Sequence, residues 1–247
     1  NGVSALTRWF LGLPTTASAN MQRALDLAQE LDHPYSMAYA LHHAGLLDLW
    51  REDRDALTTR AADLRAIADA YDYPMWRALG LILGGVATVG SDDPEAGLAH
   101  IVEGFELYRG LAAPPVFWPA LLMIHAKALL VAGRPEEARR VIEEAETVLQ
   151  PGDPVEADLL IVHGDVVVAG SPSETSTAVS MYERAAAIAG HRSARTAQLC
   201  ALTRLAELRR GTPREDEARQ ALREVYDGLT EGFDLPHLVA ARASLAT

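Results

Sequence analysis

The sequence predicts an all-α chain, an α-α superhelix of helical hairpins with about 40 residues per repeat and a C-terminal capping helix. Three observations predict it. Prolines recur at 40-residue steps in Asp32-His33-Pro34, Asp72-Tyr73-Pro74, Ala113-Pro114-Pro115 and Gly152-Asp153-Pro154. Ala56, Ala96, Ala138, Ala178 and Ala218 follow one another at 40, 42, 40 and 40 residues, each with a small residue (Ala44, Gly84, Ala126, Gly164, Ala206) 12 to 14 positions earlier. Between these marks, apolar residues fall at the i, i+3, i+4 spacing of a helix face, as in Ala138, Val141, Ile142, Ala145, Val148 and Leu149.

Each proline disfavours helix in the residue before it and suits the first turn of the next, so each triplet closes one helix and opens another. The small residues let two helix backbones approach closely, to about 8–10 Å. A Gly or Ala on one helix facing an Ala on the next is the pairing of tetratricopeptide-like hairpins. The predicted order is a single domain over 1–247. A partial first hairpin over 1–33 has helices near Val3 to Leu11 and Ser18 to Leu31. Full units follow at 34–73, 74–113, 114–153, 154–191 and 192–231, with a cap at 235–245. Connectors such as Gly90-Ser91-Asp92-Asp93-Pro94, Gly133-Arg134-Pro135, Gly170-Ser171-Pro172 and Gly211-Thr212-Pro213 put Gly at a helix stop before Pro at a helix start. First helices are apolar all round, as from Ala120 to Val131, because neighbours cover both sides of them in a stacked array. Val166-Val167-Val168 favours strand by propensity, but its place in the repeat predicts helix. Leu235 to Leu245 would cover the open apolar end. The partial first hairpin suggests that units precede Asn1.

Composition narrows the function classes. The formal net charge of −12 argues against affinity for a nucleic-acid backbone or an anionic membrane. No apolar run reaches the ~18–20 residues of a membrane span, and the N-terminus lacks the basic start of a signal peptide. Cys200, the single cysteine, fits a small buried apolar side chain and a reducing cytoplasm.

Two stretches carry a resemblance. Leu25-Asp26-Leu27-Ala28-Gln29-Glu30-Leu31-Asp32-His33-Pro34-Tyr35-Ser36-Met37-Ala38-Tyr39-Ala40-Leu41 is the first, and Val225-Tyr226-Asp227-Gly228-Leu229-Thr230-Glu231-Gly232-Phe233-Asp234 the second. They resemble the C-terminal tetratricopeptide-like region of bacterial multidomain regulators built on a STAND-type (AAA-like) ATPase module. Such a module commonly lies behind a class III adenylate/guanylate cyclase domain, and relatives carry a LuxR-type DNA-binding domain or a protein kinase domain instead. The resemblance runs from about Trp9 to the end. This chain departs from the pattern in carrying Gly12-Leu13-Pro14-Thr15 where a Gly-Tyr-Pro-Asp-like turn is usual. It holds no GxxxxGK[ST] loop and no cyclase aspartate pair, so the resemblance implies a regulatory role without catalytic residues here.

Individual candidates have bland and functional readings. His42 and His43 are adjacent, about 100° apart on a helix, so they do not make the i, i+4 pair of a metal site. One is expected in the core and the other toward a groove. Trp50, Trp76 and Trp118 fill a core in the bland reading. In the functional one, Tyr39, His43, Trp76, Trp118 and His125 line a groove for a peptide or small ligand. Arg51, Arg54, Arg60 and Arg65 read as a solvated basic face, as do Arg109, Arg139 and Arg140. His163 sits beside the small position Gly164, where packing accounts for it.

The expected function is a cytoplasmic, non-catalytic protein–protein interaction or sensor region with no cofactor. It would bind a protein or peptide segment, or pack on its own upstream ATPase module. The alternative is a small-molecule inducer-binding region like that of MalT-type activators, which an apolar, aromatic-lined cavity would favour.

Overall fold

A computed structural model describes residues 2–91, 93–111, 117–150 and 152–246. Among these residues the chain is all-helical, with thirteen α-helices and no strand. They are α1 (Gly2–Phe10), α2 (Pro14–Glu30), α3 (Pro34–Trp50), α4 (Arg54–Ala70), α5 (Pro74–Val89), α6 (Pro94–Arg109), α7 (Trp118–Val131), α8 (Pro135–Val148), α9 (Glu156–Gly170), α10 (Thr175–His191), α11 (Arg195–Arg209), α12 (Glu215–Asp227) and α13 (Pro236–Ala246). Successive helices pack on one another from α3 to α6 and from α7 to α13.

The chain forms two compact units, one of residues 1–8 and 15–116, the other of 9–14 and 117–247. In the first unit the proline marks open helices as predicted, with Pro34 and Pro74 in the first turns of α3 and α5. Ala113, Pro114 and Pro115 lie outside the described residues. α2 starts at Pro14, earlier than the expected Ser18, because Pro14 itself takes the first-turn position. Asp32 and Asp72 adopt φ of 45° and 52°, the left-handed geometry that ends a helix, although Gly is the usual residue there. In the second unit Gly133 and Gly211 take that geometry (φ 73° and 74°), whereas Gly90, of the first, stays at −74° and does not. The first helices start at Pro34, Pro74, Trp118, Glu156 and Arg195, steps of 40, 44, 38 and 39, so the period is approximate.

Small-residue pairing follows a different register in two hairpins from the one expected. Asp53 and Asp93 cap α4 and α6 by accepting the amides of Ala56 and Ala96 at 3.1 and 3.0 Å. These caps start both helices one residue later relative to the alanine. The buried fourth residue is therefore Leu57 or Gly97 in α4 and α6, and Ala138, Ala178 or Ala218 in α8, α10 and α12. The facing position shifts too. Gly85, not Gly84, faces α6 closely, since a Cβ on Gly85 would lie 2.6 Å from the Gly97 carbonyl. A Cβ on Gly84 would meet only Ala61, at 3.5 Å.

The second unit contains α7 to α13. α9 is helical through Val166-Val167-Val168, as predicted. Phe233 packs back on Tyr226 of α12, ring centroids 5.7 Å apart, and α13 lies on α11 and α12. The segment Trp9 to Pro14 joins them: Thr196 Oγ1 donates to the Trp9 carbonyl at 2.5 Å, and the Trp9 ring meets His237 edge-on at 5.2 Å. The repeat pattern does not foretell that contact.

Candidate functional site

Three helices of the first unit build an open groove of about 380 Å³. Its floor is apolar: Leu25 of α2, Met37 and Leu41 of α3, and Ile67 of α4. Leu25 and Leu41 are buried, while Met37 and Ile67 keep part of their surface open. Its rims are polar. Gln22, Asp26 and Gln29 recur on one face of α2, and Arg60 and Asp63 face them from α4. Helical spacing produces this division, because residues three and four apart share a face. Gln22 Nε2 donates to Asp26 Oδ1 at 2.8 Å.

The basic face expected around Arg60 is largely engaged inside the fold. Arg60 Nε lies 3.6 Å from Asp48 Oδ2, Arg51 donates to Ser18 Oγ, and Arg54 donates to the carbonyls of Ala87 and Gly90 at 2.8 and 2.5 Å. Arg54 thus meets the negative end of α5. Burial raises Asp48 to about 6, against the pull of Arg60.

Of the five residues singled out for a groove, Tyr39, His43 and Trp76 come together. The Tyr39 ring lies against His43, centroids 4.2 Å apart and tilted by 31°, and meets Trp76 edge-on at 6.0 Å. His43 and Trp76 are 3% and 2% exposed, so Tyr39, at 37%, is the member of this trio with open ring surface. It lines a smaller recess of about 120 Å³ with Leu27 and Leu31. Tyr35 and Tyr73 extend the aromatic cluster, each within 6 Å of a neighbouring ring. Both histidines are buried, contrary to the expected split between core and groove. The stretch from Ala40 to Gly45 is buried on all faces, and Gly2 of α1 stands against the His43 ring. His43 Nδ1 donates to the Tyr39 carbonyl at 2.8 Å. Burial lowers His43 and pulls His42 down to about 3.

Trp118 and His125 belong to the second unit, both half-buried on α7. That unit carries a polar chain across its helices: Tyr182 OH and Arg204 Nε both donate to Asp165 Oδ1, at 2.7 and 3.0 Å, and Ser244 Oγ donates to Glu207 at 3.4 Å. His163 pairs with Glu146 at 2.8 Å, which accounts for it structurally. Burial pushes the Cys200 thiol up to about 12, far from a reactive thiolate. Among the described residues no group of three His, Cys, Asp or Glu side chains is arranged to hold a metal ion, and no helix is long and apolar enough to cross a membrane.

Sequence reasoning missed the groove. Its polar rim residues read as ordinary solvated helix faces, and only half-exposed Met37 and Ile67 hint at a recess. No protein-family model matches the chain, and no curated protein sequence matches it.

Proposed function

We propose that this chain is a non-catalytic interaction and sensor region of a larger cytoplasmic signalling protein, and that the groove over α3 receives a segment of a partner protein. The groove itself carries the reading: an apolar floor between polar rims, open to solvent, in an array whose buried ionisable groups are engaged in packing. An open trough takes side chains from a chain crossing it, whereas a small inducer is better held by an enclosing cavity. The likeness of residues 25–41 and 225–234 to regulator tails supports a STAND-type ATPase, linked to a class III nucleotidyl cyclase, as the larger protein. An effector would act there by binding one domain arrangement more tightly than another.

The test fills the groove. Ala66 lies exposed on its rim, so Ala66→Trp blocks the recess without disturbing the core. In the parent regulator this substitution should abolish the response of output activity to the partner while leaving basal output intact. An unchanged response would refute the proposal.

A further inference from the structure

The rims of the groove say what kind of side chain it admits. Asp26 stands on α2 and Asp63 on α4, both exposed and both lining the recess. Among the described residues neither forms an ion pair, although Asp69, Glu156, Asp165, Glu183 and Glu215 do. Arg60 is the cation of the lining, and Asp48 offsets it from behind at 3.6 Å. With all four ionised, the site carries two negative charges in excess, one from each rim. Below the rims lie Leu25, Met37, Leu41 and Ile67, which form an apolar floor bordered by both carboxylates.

We infer that the side chain entering this groove is a lysine or arginine, carried on a protein segment with aliphatic residues beside it. This rests on the reading of the groove as a partner-binding surface. A long basic side chain satisfies both parts of the site at once: its methylene stem lies along the apolar floor while its charged end stays at the wet rim beside Asp26 or Asp63. An acidic side chain would meet two uncompensated carboxylates, and Arg60 has little free charge to offer it. A purely apolar guest would strip water from both carboxylates without replacing those contacts. The same charges favour encounter with a basic segment at low salt and fade as salt screens them. The segment is a protein rather than a free polyamine, because the aliphatic floor needs flanking apolar side chains to cover it.

The experiment selects short peptides from a displayed random library on the intact 247-residue chain. It repeats the selection on Ala66→Trp and on the double variant Asp26→Lys/Asp63→Lys. Both carboxylates are exposed, and circular-dichroism melting checks that each variant folds. The expected result is a set of peptides lost on Ala66→Trp, each with Lys or Arg flanked by aliphatic residues. Their dissociation constants should rise about tenfold or more on the charge-reversed variant, and by a similar factor when the basic residue is changed to Glu. Peptides that depend on the groove but lack a basic residue, or that ignore the charge reversal, would overturn the inference and leave the groove reading standing. A selection yielding no peptide sensitive to Ala66→Trp would overturn both.

Discussion

Two neighbouring glycines on α5 should respond oppositely to the same substitution. At Gly85 an added Cβ would sit 2.6 Å from the Gly97 carbonyl oxygen, 2.7 Å from Ile101 Cγ1 and 3.0 Å from the Ile101 amide nitrogen. Two of these are backbone atoms of α6, which yield only if the helix moves. Overpacking of this kind costs about 1–3 kcal/mol. Replacing a helical glycine by alanine returns roughly 0.5–1 kcal/mol through backbone entropy. Gly85→Ala should therefore destabilise by about 1–2 kcal/mol. At Gly84 the new Cβ would meet only Ala61 Cβ, at an ordinary 3.5 Å, so Gly84→Ala should stabilise by about 0.5–1 kcal/mol. Urea unfolding followed by far-ultraviolet circular dichroism measures both. A Gly85→Ala variant at least as stable as the parent, or two variants moving in the same direction, would refute the assigned register of the hairpin.

Other outcomes follow from the buried groups. His42 is depressed from 6.5 to about 3, so its neutral form contributes stability above pH 6.5 that is lost as pH falls. Between pH 7.5 and 5 the parent should lose about 2 kcal/mol more than His42→Leu, by parallel urea titrations; equal losses would contradict the burial of that imidazole. Asp48 has the opposite sign: raised from 3.8 to about 6, it contributes stability present below 3.8 and lost as pH rises through about 6. Relative to Asp48→Asn, the parent should lose about 2 kcal/mol between pH 4.5 and 7.5, and a pH-independent difference would count against it. In the second unit, a Cβ on Gly164 would lie 2.5 Å from the Tyr182 ring. Gly164→Ala should cost about 1–3 kcal/mol, and much less in a Tyr182→Leu background, which a double-mutant cycle detects.

Much of the fold was legible because local chemistry and packing agree. Pro34 and Pro74 sit in the first turns of α3 and α5, whereas α9 starts at Glu156, two residues past the Pro154 mark, and the alternation of apolar first helices with amphipathic second ones requires stacking. Three features were not legible. The Asp53 and Asp93 caps displaced the small-residue register by one position, which a 12-residue spacing cannot reveal when Ala44-Gly45 and Gly84-Gly85 both supply small neighbours. Burial of both His42 and His43 depended on cover from outside their own hairpin, Gly2 of α1 standing against His43 and Trp76 of α5 against His42. The contact of Thr196 with Trp9 joins residues 187 positions apart, with no sequence signal. Tyr39 and His43 stand one turn apart on α3, but their meeting with Trp76 of α5 depends on packing between hairpins and has no signal in the spacing. The groove escaped notice because it needs faces of α2, α3 and α4 together, and each rim alone looks merely hydrated.

The most direct test of the central claim is a methyl-resolved nuclear magnetic resonance titration of the intact chain with a groove-selected basic peptide. Saturable shifts should appear at the methyls of Leu25, Met37, Leu41 and Ile67, and vanish in Ala66→Trp. Shifts confined to residues of the second unit, with those four methyls unmoved, would contradict the claim that this recess is where a partner docks.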